Sequence, residues 1–184
     1  MPSRNPHKAF EAFIEPIRRA AGCLATCHVT PSPGGGHAPD VEHAWTLNGG
    51  IGVTARGWHF EAGMKYVIIP EDDGYRVTTR AYRYRLARAG HDIWRLHWHP
   101  GGDSDIAYPH AHVALAGTPQ PARNLLTAHL PTPRMTFEQA VRWSAEVGFP
   151  MLRDNYEDVL AEGEAAHLVH RSWDIAPSMP RPGK

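Results

Sequence analysis

The segment HWHPGGDSDIAYPHAH, residues 97–112, opens and closes with two histidines separated by one residue. Successive side chains of a strand point to opposite faces, so His97 and His99 share one face of a strand, and His110 and His112 share one face of another. If the two strands pair symmetrically across the loop, His99 lies opposite His110 and His97 opposite His112. Cross-strand Cβ atoms are about 4.5–5.5 Å apart, which lets two or three imidazoles meet at one ion. The spacing therefore predicts a divalent transition metal. Zinc takes imidazole nitrogens at about 2.0–2.1 Å; nickel, copper or iron also accept them. Asp103 and Asp105 in the loop are candidates to complete the shell or to orient a ring from behind. The same histidines admit metal-free chemistry, in which two imidazoles of different pKa act as base and acid, as cleavage of an RNA phosphodiester by its own 2′-hydroxyl requires. One protonated ring lowers its neighbour's affinity for a proton, so the cluster would tune itself. A plainer account makes the four rings the solvated face of a hairpin.

The strand just before carries YRVTTRAYRYRLAR, with Arg76, Arg80, Arg83, Arg85 and Arg88 between Tyr75, Tyr82 and Tyr84. Guanidinium groups bind phosphate and aromatic rings stack on bases, so the mixture suits RNA or single-stranded nucleic acid. Arg83, Arg85 and, from the next strand, Arg95 are the candidates to stabilise charge developing on a phosphate. The acidic stretches EDDG and DNYEDVLAEGE lie elsewhere in the sequence, so a chain of zero net charge can still own a basic strip. The plain alternative is a strand made soluble by arginine with tyrosines in the core. Its alternation slips near Ala81, which predicts a bulge.

Positioning these groups needs a sheet. From Trp45 to about Leu115 the chain reads as five or six antiparallel strands punctuated by LNGG, EDDG and RAGHD. Before it, Phe10, Phe13, Ile14 and Ile17 trace the stripe of an amphipathic helix over residues 7–21, although Pro16 puts its second half in doubt. PSPGGGHAPD, residues 31–40, reads as a mobile loop able to act as a lid. After Pro133 the pattern turns helical, with capping-box spacings at Thr136 with Gln139 and at Asp154 with Glu157. Sheet first and helices last predicts an α+β class: an antiparallel meander packed by an N-terminal helix and C-terminal helices, one domain over residues 1–173 with a disordered tail at 174–184.

The 184 residues carry 19 Lys and Arg against 19 Asp and Glu, so no overall field draws nucleic acid or anionic membrane. Thirteen histidines make that charge responsive between about pH 5 and 7. An N-terminus without an apolar leader, and no run long enough to span a bilayer, predict a cytoplasmic protein without a membrane partner. Cys23 and Cys27, in CLATCH, are one residue too far apart for a haem-attachment CxxCH. Cys23, Ala25, Cys27 and Val29 instead fit one apolar face of a strand, as buried structural thiols.

Residues 82–113 resemble the small TumE-type proteins, found as toxins of bacterial toxin–antitoxin pairs. The likeness rests on the arginine and tyrosine strand, a second strand, a polar loop, and Pro109-His110-Ala111-His112. It extends loosely through His129, Pro131 and Thr132 to about residue 140, covering less than half of the chain, and the His97-x-His99 pair departs from the pattern. It implies a cognate antitoxin as partner and nucleic acid as a target. His97-x-His99 followed by Asp103 is also similar to the HxH-x-E metal motif of cupins, with Asp in place of Glu and without a recognisable second motif.

Two function classes follow. One is a nuclease or other phosphodiesterase, using His97, His99, His110 and His112 with Arg83, Arg85 and Arg95. The other is a non-catalytic metal-binding or regulatory module that docks a partner.

Overall fold

The computed structural model describes residues 3–100, 106–114 and 128–172. In chain order these form α1 (Pro6–Leu24), β1 (Val29–Pro31), β2 (Glu42–Leu47), a 3-10 turn (Asn48–Gly50), β3 (Val53–Ala55), β4 (Trp58–Glu71), β5 (Gly74–Arg88), β6 (His91–Trp98), β7 (His110–Val113), β8 (Leu130–Pro131), α2 (Phe137–Glu146), α3 (Tyr156–His170) and β9 (Arg171–Ser172). The expected α+β class is what is observed. The described residues hold one sheet with the order β1-β2-β4-β5-β6-β7-β8, with β3 also paired to β4 and β9 added parallel to β5. Among the described residues the path of this sheet does not close on itself.

Its hairpins are tight because their sequences allow it. Strands β5 and β6 are joined by Ala89-Gly90, whose φ angles of 48° and 81° are both positive, as in the turn that matches strand twist. The slip foreseen near Ala81 is present: Lys65 pairs with Ala81 but Tyr66 with Thr79, so Arg80 is the extra residue. Between the two irregularities of β5, side chains divide between two faces. Trp45, Phe60, Tyr84, Leu96 and Trp98 point to a core face and are wholly buried there. Phe137 of α2 packs on that face, its ring 5.2 Å from Trp45 and 6.0 Å from Tyr84.

Helix α1 starts on an Asn5 cap that accepts from the Lys8 amide at 2.8 Å. It runs through Pro16 to Leu24 without stopping. Proline removes a backbone bond at a cost of about 3 kcal/mol, and the burial of Ile17, Ala20, Ala21 and Leu24 beyond it offsets that cost. The strand expected over Cys23–Val29 is therefore corrected: Cys23 lies in the last helical turn, and β1 begins only at Val29. Both cysteines are free thiols whose pKa burial pushes up, which disfavours the reactive thiolate.

Residues 31–40 are fastened rather than poised as a lid. The Tyr66 hydroxyl donates to the Gly36 carbonyl at 2.9 Å, His43 Nε2 lies 2.9 Å from the Ala38 carbonyl, and Pro39 bridges to Ile68. Both arms of the Thr136–Gln139 capping box form, at 3.0 and 3.1 Å. Helix α3 opens at Tyr156, one residue later than an Asp154 cap would place it. No described helix is long and apolar enough to cross a membrane. The tail at 174–184 lies outside the described residues.

Candidate metal centre

Strand β6 sends Trp94, Leu96 and Trp98 into the core and Arg95 and His97 to the outer face. On β7, Ala111 faces the core opposite Leu96, and His110 and His112 face outward. The faces are those expected, but the register is not. His97 pairs with His110 and Arg95 with His112, two residues away from the symmetric arrangement. A shift of two preserves the face of every side chain, whereas a shift of one would invert it. Pro100 and Pro109 lack the amides that a longer ladder would use, and the Pro109 carbonyl already accepts from the Thr132 amide at 2.9 Å. His99 consequently stands beyond the end of β6 and reaches His110 diagonally, with ring centroids 5.9 Å apart.

A fifth imidazole joins them. Strand β8 pairs Pro131 with His110 and Leu130 with Ala111. His129, just before it, lies with its ring centroid 4.6 Å from His112 and 4.9 Å from His110. Two overlapping triads result, His97 with His99 and His110, and His110 with His112 and His129, and within each triad the ligand nitrogens lie within 4.8 Å of one another. A tetrahedral ion with bonds of about 2.05 Å holds its ligand nitrogens ~3.3 Å apart, so small side-chain rotations would close either triad.

Burial and hydrogen bonding prepare these rings as ligands. His110 is 2% exposed, and its Nδ1 lies 2.9 Å from the Tyr108 carbonyl. A carbonyl only accepts, so Nδ1 carries the proton and Nε2 keeps its lone pair. Nε2 of His97 is buried without a hydrogen-bond partner among the described residues. Leaving such an atom unsatisfied costs roughly 1–3 kcal/mol, which a bound ion would recover. Burial, followed by the neighbouring imidazoles and Arg83, pushes the His97 pKa down to about 4. Burial also lowers His110 against the raising effect of the Tyr108 carbonyl, with His129 and His99 adding to the lowering. His112 is lowered by burial, then by His129, His110 and Arg95. Each of these downward shifts favours the neutral ring, the form that coordination requires.

The arginines share this outer face but are not a bare basic strip. Arg83 pairs across strands with His97, and Arg85 with Arg95. Glu61 on β4 receives Arg85 at 2.5 Å and Arg83 at 3.2 Å, while Asp92 receives Arg85 at 2.6 Å and also Arg95. Arg85 comes first among the charges that hold the Glu61 carboxyl below its usual range, against the opposing effect of burial. Tyr82 and Tyr84 face the core at 3% and 0% exposure, stacked on each other at 4.9 Å. They share the parity of Leu86, so they cannot stack on bases. The expectation of base-stacking is corrected accordingly for Tyr82 and Tyr84, while Tyr75 is partly buried against the core.

The structure thus brings together His97, His99, His110 and His112 with Arg83, Arg85 and Arg95. Asp103 and Asp105 lie outside the described residues. His129, Glu61 and Asp92 were not singled out as site residues in the sequence. His129 entered the sequence reading only through the TumE-type likeness, the two-residue strand after it being too short to show a period, and the two carboxylates gave no local signal. Compared with protein-family models, curated proteins and solved structures, the chain finds no match in any of the three.

Proposed function

We propose that this protein binds one divalent transition metal per chain at the histidine cluster and hydrolyses phosphate esters there. The observation that carries the reading is the convergence of five imidazoles from consecutive strands, with the buried Nε2 of His97 lacking a partner among the described residues. His110 belongs to both triads and offers one free nitrogen, so one ion at a time is the expected loading. A divalent ion supplies Lewis acidity toward a phosphoryl oxygen and makes water a better nucleophile. Arg83 and Arg95, with side chains 68% and 47% exposed, can hold non-bridging oxygens from the same face. With His97, His99 and His110 as ligands, His112 and His129 remain to take the proton from the attacking water and return it to the leaving oxygen.

Depressed imidazole pKa values also suit a histidine pair that works without metal. One experiment separates the two. Purified protein is analysed for metal, then incubated with bis(4-nitrophenyl) phosphate and with mixed RNA and single-stranded DNA, with and without EDTA, beside His110→Ala. Cleavage that depends on His110 and is lost in EDTA supports the metal reading. Cleavage that depends on His110 but withstands EDTA supports acid–base chemistry. A chain that takes up no zinc, nickel or copper and cleaves nothing overturns both.

A further inference from the structure

Beside the cluster, on the same outer face, lies an open cavity of about 260 Å³. The ladder explains it. One cross-strand row runs Thr46, Gly63, Arg83, His97, His110, and the next begins Ala44, Lys65, Ala81. Gly63 and Ala81 contribute almost no side chain, so the face is dished between Thr46 on one side and His99 with Arg83 on the other. Trp45, Met64, Tyr82 and Trp98 send their side chains to the opposite face and contribute along the floor. The exposed lining is almost wholly carbon although the rim carries Lys65, Arg83 and His99.

We infer that this cavity is the subsite for the leaving group of the substrate, and that it takes an apolar planar group, an aryl ring, esterified to a phosphate. The inference rests on the reading of the histidine face as the working site and deepens it. Neighbouring strands are about 4.8 Å apart, so Gly63 on β4 is two strand spacings, ~10 Å, from His97 on β6. That distance accommodates one ring and its ester linkage. The volume lies at or below the lower end of small-molecule sites, at roughly 300 Å³, and fits a fragment rather than a large ligand. Charge is arranged to match: the carbon-lined floor would take the ring, and Arg83 stands between it and His97, where the phosphoryl group would lie. A nucleobase has polar edges that this lining would leave unpaired, so it is the disfavoured occupant.

The test measures binding of 1-naphthyl phosphate, methyl phosphate and uridine 5′-monophosphate by calorimetry, on the full chain both metal-free and zinc-loaded. The expected result is at least a tenfold preference for the naphthyl ester over the other two. Ala81→Phe, which fills the dish, removes that preference while zinc affinity and methyl phosphate affinity stay unchanged. Thr46→Phe fills it from the opposite wall and does the same, which guards against a folding defect in either variant. Equal affinity for the three esters, or a preference that survives both substitutions, overturns the inference. Failure to bind zinc overturns the metal reading alone, because the ring preference is read on the metal-free chain as well.

Discussion

His97 shows how one residue links packing to chemistry. Its ring belongs to the outer face but is buried among other imidazoles, and its pKa falls to about 4 against about 6.5 when unfolded. Between those values the unfolded chain binds a proton that the folded chain refuses, so stability is lost as pH falls from about 6.5 to about 4 and changes no further from this source below that. We predict a loss of about 2 kcal/mol over that window in metal-free protein, after allowance for solvent screening. Urea midpoints at pH 7, 5.5 and 4 check it, with His97→Gln expected to flatten the profile. His110 has a different signature. As the only member of both triads, its replacement by Ala should abolish stoichiometric zinc binding, whereas His99→Ala and His129→Ala each leave one triad intact and weaken binding by roughly 10- to 100-fold. Isothermal titration of the three variants decides whether the shared ring is the pivot.

The elements were legible to different degrees, for physical reasons. Period-two alternation in β6 told which side chains face the core, because Trp94, Leu96 and Trp98 had nowhere else to go. Leu96→Ala should accordingly cost roughly 2–5 kcal/mol through cavity formation, measured as a shift in the unfolding midpoint, with zinc binding retained. Register was harder to read, since alternation is unchanged by a slip of two and only the prolines at 100 and 109 and the contact with β8 select the observed pairing. Cys23 was misplaced for a related reason: over a few residues, CLATC fits both a strand face and the end of a helix. His129 was missed as a ligand because it enters through a strand of two residues, below the length at which a period can be seen.

Charge taken over the entire chain cancels, and on the outer face Glu61 and Asp92 offset most, but not all, of the charge of Arg83, Arg85 and Arg95. Sequence distance hid this, because Glu61 and Asp92 are remote from or only beside the arginine run, yet both stand among Arg83, Arg85 and Arg95 once the strands pair. Arginines already paired with carboxylates leave about one net positive charge on this face, so few counterions are released when a phosphate backbone binds. Binding to single-stranded RNA should therefore be weak and depend only shallowly on salt, in place of the steep dependence a bare basic strip would give. Glu61→Gln releases Arg83 while Arg85 stays on Asp92, and should raise affinity at low salt and steepen the slope of log K against log salt by about 1. Fluorescence anisotropy across a salt series checks both.

The short strands at the histidine end carry one more consequence. Strand β7 has four residues and β8 two, so few backbone bonds hold this margin of the sheet, and such margins open locally long before the molecule unfolds. An ion gripped by His110 together with rings from β6, or from β7 and the approach to β8, is a cross-link between neighbouring strands. Loading should then register as a mechanical event at a distance from any ligand nitrogen: amide protons of Ala111 and Val113 should exchange more slowly when zinc is present, while those in the middle of β4 and β5 keep their rates. In that sense the cluster is the rivet of a short-laddered seam of the sheet, and occupancy would decide whether that seam is open or shut.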